Sequence, residues 1–119
     1  MTGRVVYNLI EVRQGDSFAI NLQIKQNNHP VDLTGASLLM QVRDQQTNAL
    51  VFSINGTEVD IKNGKMALLL TPSETSADTG DYNTDIQLTT SDGSVHTIFP
   101  ANVNQIATFR ITKQVTTGA

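Results

Sequence analysis

Residues 68–93, LLLTPSETSADTGDYNTDIQLTTSDG, decide the fold. The stretch reads as the end of a strand, one short helical turn, a long strand and a tight turn. Thr71-Pro72-Ser73-Glu74 has the form of a helix start. Thr71 can cap, Pro72 suits a first helical position whose N–H has no partner, and Glu74 can reach back in a capping box. The polar run through Thr79 and Gly80 ends that turn before it lengthens. Tyr82, Thr84, Ile86 and Leu88 then alternate with Asn83, Asp85, Gln87 and Thr89, the period of a half-buried strand. Asp92-Gly93 predicts a hairpin built on a positive-φ pair, with the chain returning antiparallel from Ser94. A strand, a corner and a strand crossing to the opposite sheet is how a β-sandwich is stitched together.

Working outward, the remaining chain repeats this grammar. Val5, Tyr7 and Leu9 on one parity and Val6, Ile10 and Val12 on the other make the first strand apolar on both sides. Such a strand is either covered on both faces or passes between sheets. After the break at Gln14-Gly15-Asp16, Phe18, Ile20, Leu22 and Ile24 alternate cleanly with Ala19, Asn21, Gln23 and Lys25. Residues 26–30 read as a turn, and 31–35 as an irregular connection. Leu38, Met40 and Val42 form an inward row in which Leu39 is a misfit; Leu50, Phe52 and Ile54 form the next. Asn55-Gly56 and Asn63-Gly64 both have the form of two-residue hairpin turns, with Thr57, Val59 and Ile61 between them. Met66, Leu68 and Leu70 follow, with Leu69 the second misfit. Val95, Thr97 and Phe99 come next on one parity; a polar excursion from Pro100 to Gln105 separates them from the closing strand with Phe109 and Ile111. The tail from Thr116 is expected to fray.

Eight to nine short strands at spacings of about 8 to 12 residues, with no sustained helical period, predict an all-β, immunoglobulin-like antiparallel sandwich with one short helical turn. A closed barrel is the alternative, and the pattern does not separate the two. The 119 residues read as a single domain, 1–119, large enough to bury roughly two-thirds of the unfolded-chain surface. There is no cysteine, which fits synthesis in a reducing cytoplasm. Eight basic residues against 11 acidic ones, with no Lys/Arg cluster, argue against a nucleic-acid surface. The apolar runs are too short to insert in a membrane, and the first residues do not form a signal peptide.

Little in the sequence carries catalytic chemistry. His29 lies in a turn and His96 on a hairpin's return strand, far apart and without metal-ligand spacing. No serine sits in a GxSxG elbow and no glycine-rich phosphate loop is present. The aspartates fall about one per turn, where their side chains suit local backbone bonding, and no DxDxDG run points to calcium. Asn55-Gly56-Thr57 matches a glycosylation sequon but reads better as a turn. Asp85 stands mid-strand; it is either a solvated outward residue or pairs across the sheet with Arg43 or Arg110.

Four pieces taken in order carry a resemblance: the QGD turn within Val12–Phe18, the P-x-DLTG connection over Pro30–Ala36, the QVRD strand end at Gln41–Asp44, and Gly80-Asp81-Tyr82-Asn83-Thr84-Asp85-Ile86-Gln87-Leu88 followed by Asp92-Gly93. Together they resemble the immunoglobulin-like N-terminal domain of bacteriophage baseplate upper proteins and related small tail proteins, from about Gln14 to Thr112. Asn28-His29 replaces the usual turn glycine, Thr84 stands where an aromatic is frequent, and the 100–105 excursion is longer than the pattern's short glycine turn.

The resemblance implies a virion structural protein of tail, baseplate or fibre, made in the host cytoplasm, non-enzymatic and without cofactor or metal. Its implied partners are other virion proteins or further copies of itself. A capsid decoration protein and a host-surface carbohydrate-binding module are the alternatives on the same scaffold; scarce aromatics weigh against the second. The residues add that Val6 and Ile10 of the two-sided first strand, with Leu39 and Leu69, are surplus apolar positions and hence the candidate interface. The plainer account of the two leucines is scattered surface exposure, which is common.

Overall fold

A computed structural model of the protein describes residues 3–6, 8–100 and 105–113. Its strands are β1 (Arg4–Val6), β2 (Leu9–Arg13), β3 (Phe18–Gln23), β4 (Lys25–Gln26), β5 (His29–Pro30), β6 (Ser37–Arg43), β7 (Leu50–Asn55), β8 (Thr57–Asp60), β9 (Lys65–Leu70), β10 (Gly80–Thr89), β11 (Val95–Phe99) and β12 (Ala107–Thr112); a short α-helical turn, α1, spans Pro72–Thr75. A larger sheet runs β1-β2-β12-β10-β6-β7, with β11 beside β10; a smaller one runs β3-β9-β8; β4 and β5 form a ribbon. The two main sheets are separate and open, so the molecule is a sandwich and not a closed barrel. The large sheet corresponds to the GFC side of an immunoglobulin domain and the small one to the BED side.

The core lies between them. Ile10, Val12, Leu38, Met40, Val42, Ile86, Leu88, Phe109 and Ile111 come from the large sheet, and Phe18, Ile20, Met66, Leu68 and Leu70 from the small one. These are the alternating rows read from the sequence. Phe52 meets Phe109 edge to face, with ring centroids 5.4 Å apart. Leu33, from the irregular connection, is 2% exposed and packs into the same core.

The polar corner that the sequence announces is present. The Thr71 backbone N–H donates to Glu74 Oε1 at 2.7 Å, and the Thr71 hydroxyl donates to the same oxygen at 2.8 Å. Thr75 is fully buried; its hydroxyl donates to the Asp16 carbonyl at 2.7 Å, and its own carbonyl accepts from Gly15 N–H at 3.1 Å. The helical turn thereby seats the start of β3. Tyr82, near the start of β10, donates its hydroxyl to the Asp78 carbonyl at 2.5 Å. That is the tyrosine corner of immunoglobulin-like domains.

Several expectations are corrected. The first apolar stretch is not one strand: it folds into a β1–β2 hairpin, with Val5 opposite Ile10 and Val6 opposite Leu9. Reversal of the chain puts Val5 and Ile10 on one face and explains why both parities are apolar (Tyr7 is outside the described residues). Asn55-Gly56 is not a hairpin turn but the crossing from the large sheet at β7 to the small sheet at β8. Gly56 is required there because a Cβ would lie 2.6 Å from Leu38 Cβ. Asn63-Gly64 closes a longer loop in which Ile61–Asn63 form a 3-10 turn.

At residues 92–93 only Gly93 has positive φ, and its N–H donates to the Thr90 carbonyl at 2.9 Å. The hairpin is therefore a type I turn closed by a left-handed glycine. A register shift in the β10–β11 pairing beside Ile86 divides the parity of β11, with Val95 and Thr97 on the outer face and Phe99 on the inner. The closing strand β12 pairs parallel with β2, so the sheet is mixed. β11 and β12 share one edge of β10: Phe99 faces Ile86 and Ala107 faces Thr84. Residues 101–104 and the tail from 114 lie outside the described residues.

Candidate interaction surfaces

The chemistry of a sandwich lies on its outer faces and edges, and here the two faces differ. On the large sheet, register puts Arg4, Glu11, Arg110 and Asp81 side by side across β1, β2, β12 and β10. Charges alternate along this row. Arg4 Nε lies 2.9 Å from Glu11 Oε1, Arg110 Nη1 3.7 Å from Glu11 Oε2, and Arg110 Nε 2.8 Å from Asp81 Oδ1. The Arg110 hydrogen bond holds the Asp81 carboxyl below the usual range. Arg4, Arg110 and Asp81 are well exposed and screened by solvent, so these pairs add little stability and the row chiefly fixes strand register.

Farther along the same face, a cleft of about 240 Å3 is lined by Gln41, Arg43, Asn48, Asn83, Asp85 and Ile106. Asp85 therefore faces outward. Burial raises its pKa, and the nearby Arg43 charge opposes that shift. Arg43 directs its hydrogen bonds elsewhere, to the Asn48 carbonyl at 3.0 Å and Gln41 Oε1 at 3.2 Å. Arg110, the other partner considered for Asp85, is engaged with Asp81 and Glu11. Among the described residues no group of three or more His, Asp or Glu side chains gathers in a metal-holding arrangement. Both histidines are exposed.

The outer face of the small sheet carries charge at one end. Its paired positions are Ala19, Asn21 and Gln23 on β3, Lys65, Ala67 and Leu69 on β9, and Thr57 and Asp60 on β8, with Asp60 opposite Lys65. Leu69 is 49% exposed beside Ala19.

The four candidate interface residues do not share one surface. Ile10 has no exposed area and belongs to the core. Val6 is exposed on edge strand β1 of the large sheet. Leu39, half-buried, is on the same face but toward the other end of the strands, opposite Gln87, whereas the row of Val6 reaches β10 at Asn83. Leu69 is on the opposite side of the molecule. The sequence reading passed over the buried Thr75 and the Tyr82 corner. The signal for the second was a tyrosine four residues after Asp78, at the start of a long alternating strand.

A mixed, tyrosine-cornered sandwich whose distinguishing features lie on its faces and edges defines an immunoglobulin-like structural module. The chain belongs to the BppU N-terminal domain family, the N-terminal domain of phage baseplate upper proteins, whose model matches residues 2–109. That family is one of structural components of the phage tail and baseplate. Among solved structures the chain is similar to the N-terminal domain of phage TP901-1 ORF48, with a TM-score of 0.51 and 19% identity, covering 87% of this chain and 82% of that one. It is also similar to CopC from Methylosinus trichosporium OB3b, with a TM-score of 0.50 and 16% identity, covering 91% and 87%. At these identities the likeness is one of fold. No curated protein matches the sequence. Among the described residues no helix is long and apolar enough to cross a membrane.

Proposed function

We propose that the protein is a non-enzymatic assembly module that docks onto other virion proteins in the tail or baseplate. The family match over residues 2–109 carries this reading. The contrast between a charge-laced face and one whose paired positions are charged only at the Lys65–Asp60 end supports it, because depletion of charge is what distinguishes the centre of a protein–protein contact. Leu69, exposed on the less charged face, is the best placed of the candidate interface residues.

Fractionating virions into heads and tails and probing each for the chain tests the proposal. Recovery in the tail fraction is the expected result. Recovery with heads alone would make it a decoration protein and overturn the reading. Light scattering across a concentration series reports whether the chain self-associates or stays monomeric for a different partner. Leu69→Asp is expected to lower tail incorporation while leaving the melting temperature within a few degrees, about what a surface substitution of 0.5 kcal/mol gives.

A further inference from the structure

We infer that the free edge of β3 is a strand-addition site for an extended segment of another virion protein, neutral along its length with a carboxylate at one end and apolar residues at alternate positions. The inference rests on the assembly reading above and names the chemistry of the partner. Among the described residues β3 pairs only with β9 and no strand lies along its other side, where Gly3 approaches the Phe18 ring at the strand's start. The Ile24 N–H donates to the Gly64 carbonyl at 2.8 Å, on the β9 side. Backbone groups of an antiparallel strand alternate in direction, so those of Phe18, Ile20 and Leu22 also point toward β9. Those of Ala19, Asn21 and Gln23 point outward, giving three donors and three acceptors at a period of two.

Natural sheets guard such an edge with lysine, proline, a bulge or a very short strand. From Phe18 to Ile24 there is no charge and no proline, and the β3–β9 register is unbroken. A groove of about 360 Å3 runs beside the edge. β3 supplies one wall; Val5, Ile98 and Phe99 belong to the other, and Ile86 also lines it. A strand laid along β3 would hydrogen-bond to Ala19, Asn21 and Gln23 and place every second side chain in this groove.

Charge decides the rest of the partner's chemistry. The groove lining is neutral, which matches a neutral segment. Just past its end stands Lys25, which is exposed and in no ion pair among the described residues, matching a carboxylate at that end of the segment. A second copy fits less well. Its β3 offers the same backbone groups, but Ile20 and its neighbours are already packed in that copy's own core and would leave the groove unfilled.

The probe is a blocked ten-residue peptide alternating valine with threonine and ending in aspartate; the control carries proline at two central positions. Both are titrated into the isotope-labelled full chain. Saturable binding of the first peptide alone is expected, slowing amide exchange at Ala19, Asn21 and Gln23 by about tenfold or more while Leu22 is unchanged. Asn21→Pro, which removes an outward N–H, is expected to fold and to weaken peptide binding at least about tenfold, as loss of a hydrogen bond and close contact requires.

Absence of saturable binding, or equal binding by Asn21→Pro, overturns the inference. Protection of the three amides that rises with protein concentration in the absence of peptide also overturns it, in favour of a second copy. Tail incorporation separates the two readings: normal incorporation of folded Asn21→Pro sinks the edge as a docking site but not the assembly role, whereas wild-type chain missing from tails sinks the assembly role.

Discussion

β3 and β8 are the two edges of one three-stranded sheet, and they are built oppositely. β8 has only four residues, carries Glu58 and Asp60, and slips register between them, leaving Val59 unpaired and 62% exposed. Charge, brevity and a bulge are the devices by which a sheet edge refuses further strands. β3 has six residues in unbroken register and none of these devices. Both strands pair with β9, so the sheet's own stability does not account for the difference. What differs is whether anything is to be admitted at the edge.

The sharpest way to break this comparison is a pair of adjacent prolines. Leu22→Pro removes an N–H directed at β9 together with core packing, and is expected to cost about 3 kcal/mol or more. Asn21→Pro removes an N–H directed at solvent, where an edge strand tolerates proline, and is expected to cost no more than about 1 kcal/mol. Urea denaturation midpoints measure both. Equal losses would mean that β3 is not an edge in solution.

A smaller loss is expected where β3 begins. Thr75→Val keeps the shape but leaves the Asp16 carbonyl without its buried donor, a change of about 1–3 kcal/mol. If thermal melting shows no change, α1 does not seat the strand.

Much of this was legible in the sequence. The alternation of Phe18 to Ile24 and of Tyr82 to Thr89 placed the core rows, and Thr71-Pro72-Ser73-Glu74 announced its turn, because period and capping are local properties. The β1–β2 hairpin and the sheet crossing at Gly56 were not legible. In both, a neighbour distant in sequence decides the geometry: Val5 is placed by Ile10, and Gly56 by Leu38. The candidate interface suffered for the same reason. Leu39 and Leu69 are both misfits by parity, yet parity does not say which sheet a strand joins, and they emerge on opposite sides. The bare edge was visible only as a run without charge between Asp16 and Lys25; its meaning required knowing that β3 lacks a second neighbour.

A milder change sharpens the comparison by giving β3 what β8 already has. Asn21→Lys places a charge on the open edge and is expected to alter stability by no more than about 0.5 kcal/mol. It should also abolish binding of the alternating peptide. Undiminished binding by a folded Asn21→Lys would show that the edge needs no protection from strand addition, and the contrast with β8 would lose its meaning.

The smallest expected effect sets the pH range in which the edges can be compared. Asp92 accepts hydrogen bonds from the Thr90 hydroxyl and from the Ser94 N–H, the latter at 3.0 Å, and these lower its pKa from 3.8 to about 2. A carboxylate depressed on folding contributes stability that is fully present above its unfolded pKa and is lost as pH falls through the folded one. Asp92 thus supports the β10–β11 hairpin above about pH 4 and loses that role toward about pH 2. Asp32, Asp44 and Asp81 shift in the same direction, and Asp85 in the opposite one. Asp92→Asn is therefore expected to melt slightly below wild type at about pH 5 and to lose less than wild type on acidification. Parallel melting curves for the two proteins across that range would mean that the turn does not depend on the charge. In that case acid loss at either edge of the small sheet would have to be traced to other carboxylates.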